Sequence, residues 1–297
     1  MSSVRVCSRP RSVLLPSLAV AGTVLSWAAA FPAITMALRD VAPLPLASIR
    51  FALASLLAIA WLVWRRPPRT NGSDLVIVAI SGVVGIALYN MLLNSGQATV
   101  SAGAASFIVN TQPVFMAILA VLFLREAFNR WSWIGTALGL AGIAMIAWGQ
   151  PGGLSFGAGS SLILGAALCA AAYSTMLRPL FARSDPMDVT AMMMICGALA
   201  LLPWLSDGVR QTSAASADVV AAVVFLAVAP AAIGYACWTY AIKSFGAARA
   251  GQFLYLIPPL ATLLAWAGLG ETPGWTTLLG GALALSGVVL VNTWGRR

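Results

Sequence analysis

Long apolar runs alternate with short polar connections along the chain. Uncharged apolar runs are clear at 13–38, 75–94, 100–124, 131–148, 157–177, 219–242, 250–270 and 274–294. Two weaker ones lie at 46–64, which contains Arg50, and at 189–205, which has only 17 residues. A helix needs about 20 apolar residues to cross a bilayer core. Each run therefore predicts a membrane-spanning α-helix. Counting the two weaker runs gives ten spans; without them the Arg-rich connections would fall on opposite sides of the membrane.

Composition narrows the alternatives. Of 297 residues, 60% are hydrophobic and 8% charged, against about 25% charged in an average soluble domain. A soluble fold keeps a polar exterior, and a disordered chain is poor in apolar residues, so neither fits. Ten spans leave no room for a soluble catalytic domain. The chain has no histidine, which removes Ser-His-Asp and Cys-His catalysis and most zinc sites. Lys243 is the one lysine and no phosphate-loop motif surrounds it. The string Gly153-Leu154-Ser155-Phe156-Gly157 matches a nucleophile-elbow pattern, but it lies in a short connection without a His partner and reads as chance. Cys7, Cys169, Cys196 and Cys237 are far apart in sequence and read as small packing residues. The expectation is a non-enzyme with no metal and no cofactor.

The net charge of +9 is spread as single or paired basic residues at span ends. That is a membrane flank rather than the basic stripe of a nucleic-acid binder. Arg5, Arg9, Arg11, Arg65, Arg66, Arg69, Arg125, Arg130, Arg178, Arg183, Lys243, Arg249, Arg296 and Arg297 fall on the side of the termini. Arg39, Arg50 and Arg210 fall on the other. The bias places both termini in the cytoplasm of a multi-pass protein of the cytoplasmic (inner) membrane. Asn71-Gly72-Ser73 would then face the cytoplasm, where its glycosylation sequon goes unused. The first run follows Arg5, Arg9 and Arg11 like a signal peptide. It is 26 residues long without a clear cleavage site, and is read as a retained helix. Trp61, Trp64, Trp131, Trp133, Trp148, Trp204, Trp275 and Trp294 lie near span ends, as headgroup-level rings do. Trp27, Trp238 and Trp266 do not.

The two halves repeat. Tyr89 to Pro113 and Tyr235 to Pro259 both span 24 residues, and Phe107 falls on Phe253. Glu126, Gly135 and Gly142 match Glu271, Gly280 and Gly287, with the offset changing from 146 to 145. Five spans per half is an odd number, so the second half must enter the membrane inverted. The charges agree: Arg125 and Arg130 follow the fourth span, whereas only Glu271 follows the ninth. Lys243 and Arg249 precede the ninth, whereas the loop before the fourth is uncharged. Inverted repeats with a site at their interface are the architecture of secondary transporters.

Two five-helix halves, the stretch Tyr89 to Gly149 with Leu-Arg-Glu followed by Gly-x6-Gly, and its copy Tyr235 to Gly295 resemble the EamA-type repeat of the drug/metabolite transporter superfamily, ten-helix branch. The resemblance covers about 13–295. It divides the chain into a cytoplasmic tail 1–12, a first repeat 13–148, a linker 149–156, a second repeat 157–294 and a cytoplasmic end 295–297. It implies that helices 1–4 and 6–9 surround a central cavity and that helices 5 and 10 lie at the periphery. Among members, the amino-acid exporters are the nearest in character.

Pro113 in the fourth span and Pro258-Pro259 in the ninth each remove a helix hydrogen bond. They are either paired hinges or static kinks; Pro230, unmatched, reads as packing. Polar mid-span residues either line a cavity or bond between helices. On a continuous helix Asn110 and Gln112 are about 200° apart and cannot both face one cavity. Ser106, Asn110 and Pro113 share the favoured face. Gln252, Tyr255 and Pro259 share one in the ninth span, and Tyr235, Trp238 and Thr239 in the eighth. Tyr89 shares one with Gly85 in the third, with Asn90 and Asn94 directed elsewhere. Trp27 aligns with Tyr173. The candidate substrate-binding set is Trp27, Tyr89, Ser106, Asn110, Tyr173, Tyr235, Trp238, Gln252 and Tyr255, though several tyrosines could instead be interfacial. Such an aromatic cavity suits an amphipathic metabolite or a cation. Arg50 either snorkels to the outer interface or contacts a substrate carboxylate. Every acidic residue lies in a loop or at a span start, so the usual buried proton relay is missing. The small-residue faces Gly135-x3-Gly139 and Gly280-x3-Ala284 could pack within the monomer or form a homodimer.

The reading is an all-α membrane transporter that exports amino acids and related small metabolites by alternating access, as a facilitator or exchanger. Its partners would be a small-molecule substrate and the bilayer, with no nucleic acid. The alternatives are efflux of drug-like or toxic organic cations, and a non-transporting scaffold or scramblase.

Overall fold

A computed structural model of the chain describes residues 14–68, 70–100, 102–148, 157–260 and 274–296. The tail 1–12, Cys7, Arg69, the linker 149–156 with Gly153-Leu154-Ser155, the end of the ninth span beyond residue 260 with Trp266 and Glu271, and Arg297 lie outside these residues. Among the described residues every regular element is helical. The first two spans are α1 (Leu14–Ala37) and α2 (Pro43–Arg65). The third is one continuous run through α3 (Gly72–Gly82), a π-helical segment Val83–Leu88 and α4 (Tyr89–Gln97). The fourth divides into α5 (Ala102–Val109) and α6 (Gln112–Leu124), and α7 (Arg130–Trp148) closes the first half.

The second half repeats the plan. After α8 (Ala158–Leu177) come α9 (Pro186–Ala200) and α10 (Leu205–Ala214), joined at a bend of 56°. The eighth span runs through α11 (Ala217–Leu226), a second π-helical segment Ala227–Gly234 and α12 (Tyr235–Phe245). Then follow α13 (Ala247–Gln252), a 3-10 turn Phe253–Leu256 with helix again at 257–260, and α14 (Trp275–Thr293). Among the described residues six helices are long and apolar enough to cross a membrane, or seven with the bent pair. Together with α7, α13 and α14 they are compatible with ten spans.

Local chemistry sets the boundaries. Pro43 opens α2 at a position where no backbone donor is needed, and left-handed Arg66 (φ 47°) followed by Pro67 and Pro68 ends it. Asp185 caps α9 by accepting the Met187 N–H at 2.9 Å, with Pro186 in the first turn. Gly246 separates α12 from α13 at φ 83°, a conformation that any side chain would strain.

The halves interlock crosswise. α2 packs on α9, α6 on α13 and α7 on α14, so equivalent spans meet. Meanwhile α1 packs on α11 and α12, and α8 on α3 and α4, so the first span of each half meets the third of the other. The two small-residue faces pack against each other within the chain. A side chain at Gly142 would strike the backbone of Gly280 and Ala284, and one at Gly287 the backbone of Gly135 and Gly139. Such faces let helix backbones approach closely in lipid, where burying apolar surface gains little.

Candidate functional site

Polar groups converge on a central cavity between the halves. It is lined by Trp27, Ala30, Phe31 and Ile34 of α1, Arg50 of α2, Tyr89, Asn90 and Leu93 of α4, and Val109, Asn110 and Gln112 of the fourth span. The second half adds Ala170 and Tyr173 of α8, Tyr235 of α12, and Leu254 and Ile257. Its volume is about 30 Å³, room for two waters at roughly 10–15 Å³ each on this measure. The spans must part before it could take a metabolite. Two larger grooves, of about 520 and 450 Å³, have almost wholly apolar walls on the outside of the bundle.

The π segments build the site. Each ends immediately before a cavity tyrosine, Tyr89 in the third span and Tyr235 in the eighth. A widened turn re-aims backbone carbonyls, which in lipid must find donors. Here the donors come from other spans. Tyr235 O–H donates to the Gly85 carbonyl at 2.9 Å, Trp27 Nε1 to the Pro230 carbonyl at 3.1 Å, and Arg50 Nε to the Leu226 carbonyl at 3.0 Å. Leu226 is four residues before Pro230, whose ring nitrogen cannot donate to that carbonyl. The Leu226 carbonyl, just before the π segment, thereby orients Arg50. Gly85 has no Cβ because the Tyr173 ring lies against it.

Arg50 does not snorkel. It is 4% exposed and turned inward. Nη1 donates to Asn90 Oδ1 at 3.1 Å, and the guanidinium carbon sits 5.0 Å from the Phe51 ring centroid. Asn90 is held by its own Nδ2, which donates to the Ile86 carbonyl at 2.8 Å. Among the described residues no carboxylate pairs with Arg50. The aromatic wall is continuous: Tyr235 lies 5.7 Å from Trp27, 6.0 Å from Tyr173 and 6.0 Å from Phe51, centroid to centroid.

Six of the residues singled out in the sequence meet at this cavity: Trp27, Arg50, Tyr89, Asn110, Tyr173 and Tyr235. Trp238 lies behind it, 5.5 Å from Trp27, and donates to Ser174 Oγ at 3.1 Å. Ser106 is buried one turn away, where its carbonyl accepts from Asn110 Nδ2 at 2.6 Å. Gln252 and Tyr255 face the other way. Gln252 Oε1 accepts from Thr136 of α7 at 3.1 Å, and the Tyr255 ring packs against Gly139 of α7 and Ala284 and Val288 of α14. Leu254 and Ile257 take their place, because the 3-10 turn winds the ninth span more tightly than an α-helix does.

The structure also overturns the separation of Asn110 from Gln112. Both line the cavity, since α5 stops at Val109 and α6 starts anew at Gln112, and the 100° step fails across the break. Pro113 sits at that break, in the first turn of α6. Asn90, expected to point away, carries Arg50; nothing in helical spacing marks it.

The acidic residues are bound at span ends. Asp74 pairs with Arg183, Asp188 Oδ1 accepts from Trp61 Nε1 at 2.9 Å, and Asp40 accepts from Ser216. Glu126 accepts the N–H groups of Ala247 and Ala248, both at 3.1 Å, and lies 3.5 Å from Arg178.

Two inverted, interlocked halves around a buried central cavity have the architecture of a membrane transporter. The chain belongs to the EamA-like transporter family, whose model matches residues 14–148 and 157–293. It is 37% identical over 280 residues, 93% of each chain, to a probable terminal-alkyne amino-acid exporter of Streptantibioticus cattleyicolor. An uncharacterized transporter of Archaeoglobus fulgidus is 30% identical over 91% of this chain and 95% of its own. The uncharacterized transporter YdfC of Bacillus subtilis is 31% identical over 88% and 86%. A crystal structure of another protein, 22% identical, superposes with a TM-score of 0.78 over 95% of this chain and 98% of that one, so the fold is shared.

Proposed function

We propose that this transporter exports zwitterionic amino acids with uncharged side chains, holding the substrate carboxylate on Arg50. The observation that carries the proposal is a buried guanidinium with no acidic partner among the described residues, on the wall of an otherwise aromatic cavity. Arg is well suited to this because its planar fork matches a carboxylate. Asn110 Oδ1, buried and accepting no hydrogen bond, offers an acceptor to the substrate ammonium. Trp27, Tyr173 and Tyr235 receive the side chain. The Streptantibioticus relative, a probable terminal-alkyne amino-acid exporter, supports this substrate class. Arg50 also disfavours organic cations, which the aromatic wall alone would accept.

Alternating access would exchange the two halves' roles, with Pro113 and Pro258-Pro259 as hinges. No described carboxylate reaches the cavity, so transport would be facilitative or by exchange rather than proton-driven. The basic flanks support a cytoplasmic membrane with both termini on its cytoplasmic side. The test is flux of labelled threonine, methionine, phenylalanine and lysine into proteoliposomes, with and without a pH gradient. Flux of the first three without a gradient, lost on Arg50→Gln, is the expected result. Flux that needs the gradient refutes the coupling; flux of the first three that survives Arg50→Gln refutes the carboxylate assignment, and flux of lysine alone refutes the uncharged-side-chain class.

A further inference from the structure

The core of this protein holds a full positive charge for which the described residues supply no negative one. A guanidinium keeps its proton where a buried lysine would release it. Arg50 is 4% exposed, and both of its protein hydrogen bonds end on neutral oxygens, the Leu226 carbonyl and Asn90 Oδ1. These contacts orient the group without neutralising it. Leaving such a charge unpaired within a membrane is costly, and the described carboxylates are occupied at the span ends or lie exposed there.

We infer that Arg50 holds a small monovalent inorganic anion, chloride being the abundant one, whenever no substrate carboxylate is bound, and that the carboxylate displaces it. The cavity beside Arg50, about 30 Å³, suits one halide and excludes an amino acid. Further positive potential comes from α6. Its N-terminus lies at the cavity, where Gln112 forms part of the wall, and 13 residues of aligned peptide dipoles stand behind it. The Gln112 amide donates only to the Met116 sulfur, at 3.5 Å, a weak acceptor that it can leave for an anion. Anion and carboxylate share one set of donors and exclude each other, so rising chloride lowers the apparent affinity for substrate. Either ligand neutralises Arg50, but only the small anion fits within the closed cavity. Displacement rests on the carboxylate assignment above; anion binding stands without it.

The experiment measures binding of radiolabelled chloride to the purified full chain in nanodiscs, with gluconate keeping ionic strength constant. Wild type, Arg50→Gln, Arg50→Lys and the exposed control Arg210→Gln are compared, and unlabelled methionine serves as competitor. Expected are saturable binding in wild type and in the control, loss in Arg50→Gln, weakened binding in Arg50→Lys, and release by methionine. If Arg50→Gln does not fold, the weaker binding of Arg50→Lys decides. No saturable chloride in wild type, equal binding in folded Arg50→Gln, or unchanged affinity in Arg50→Lys overturns the anion site. Chloride held through Arg50 but released by no amino acid supports the anion site and overturns the carboxylate assignment.

Discussion

The two repeats share their framework and differ in their chemistry. At the repeat offset Trp27 meets Tyr173, Tyr89 meets Tyr235, Pro113 meets Pro259, and both third spans widen into a π segment just before the tyrosine. The polar groups of the cavity have no such counterparts. Arg50 falls on Cys196, Asn90 on Ala236, Asn110 on Leu256 and Gln112 on Pro258. Symmetry is kept in the π segments, the aromatic walls and the span packing. It is dropped around Arg50, where the proposed substrate carries one carboxylate and a second buried guanidinium would add its own desolvation cost.

This division can be broken experimentally. The largest effect belongs to the asymmetric set. Arg50→Gln removes charge-assisted contacts worth about 1.5–3 kcal/mol each, so amino-acid affinity, read by equilibrium binding, should fall on the order of 100-fold. A symmetric framework position should instead lose stability. Gly142→Leu and Gly287→Leu each force apart the α7–α14 contact at about 1–3 kcal/mol or more. Both should lower the unfolding temperature similarly, by roughly 2–4 °C per kcal/mol. Pro113→Ala and Pro259→Ala should slow turnover several-fold, by matching factors and with little change in affinity; unequal factors would mean that the hinges are not equivalent. Tyr235→Phe deletes the bond to the Gly85 carbonyl and should cost about 1 kcal/mol of stability, measured by thermal unfolding. Cys196→Ser, at the position matching Arg50, should change affinity by less than about 0.5 kcal/mol; a larger loss would show that the second half also recognises substrate.

How far residues could be placed in advance varied with how regular their helix is. Trp27 and Tyr173, paired by the repeat offset, sit within unbroken helix and line the cavity. Gln112, Gln252 and Tyr255 lie at a break or beside a 3-10 turn, and there the periodic face misled. Asn90 follows a π segment, which adds a fraction of a turn that no periodicity registers.

The sequence by itself determined the apolar spans and the two inverted repeats of one plan. Lipid imposes these directly, through helix length, backbone satisfaction and the charge of the flanks. It left Arg50 with two destinations and the glycine faces with two partners. Only the tertiary structure decided both. Arg50 turns inward to donate to the Leu226 carbonyl, 176 residues further on, and to Asn90 Oδ1. The glycines of α7 meet those of α14 because the crosswise packing brings the last spans of the two halves into backbone contact. Such choices depend on groups distant in the chain, and only the folded arrangement brings those groups within hydrogen-bonding reach.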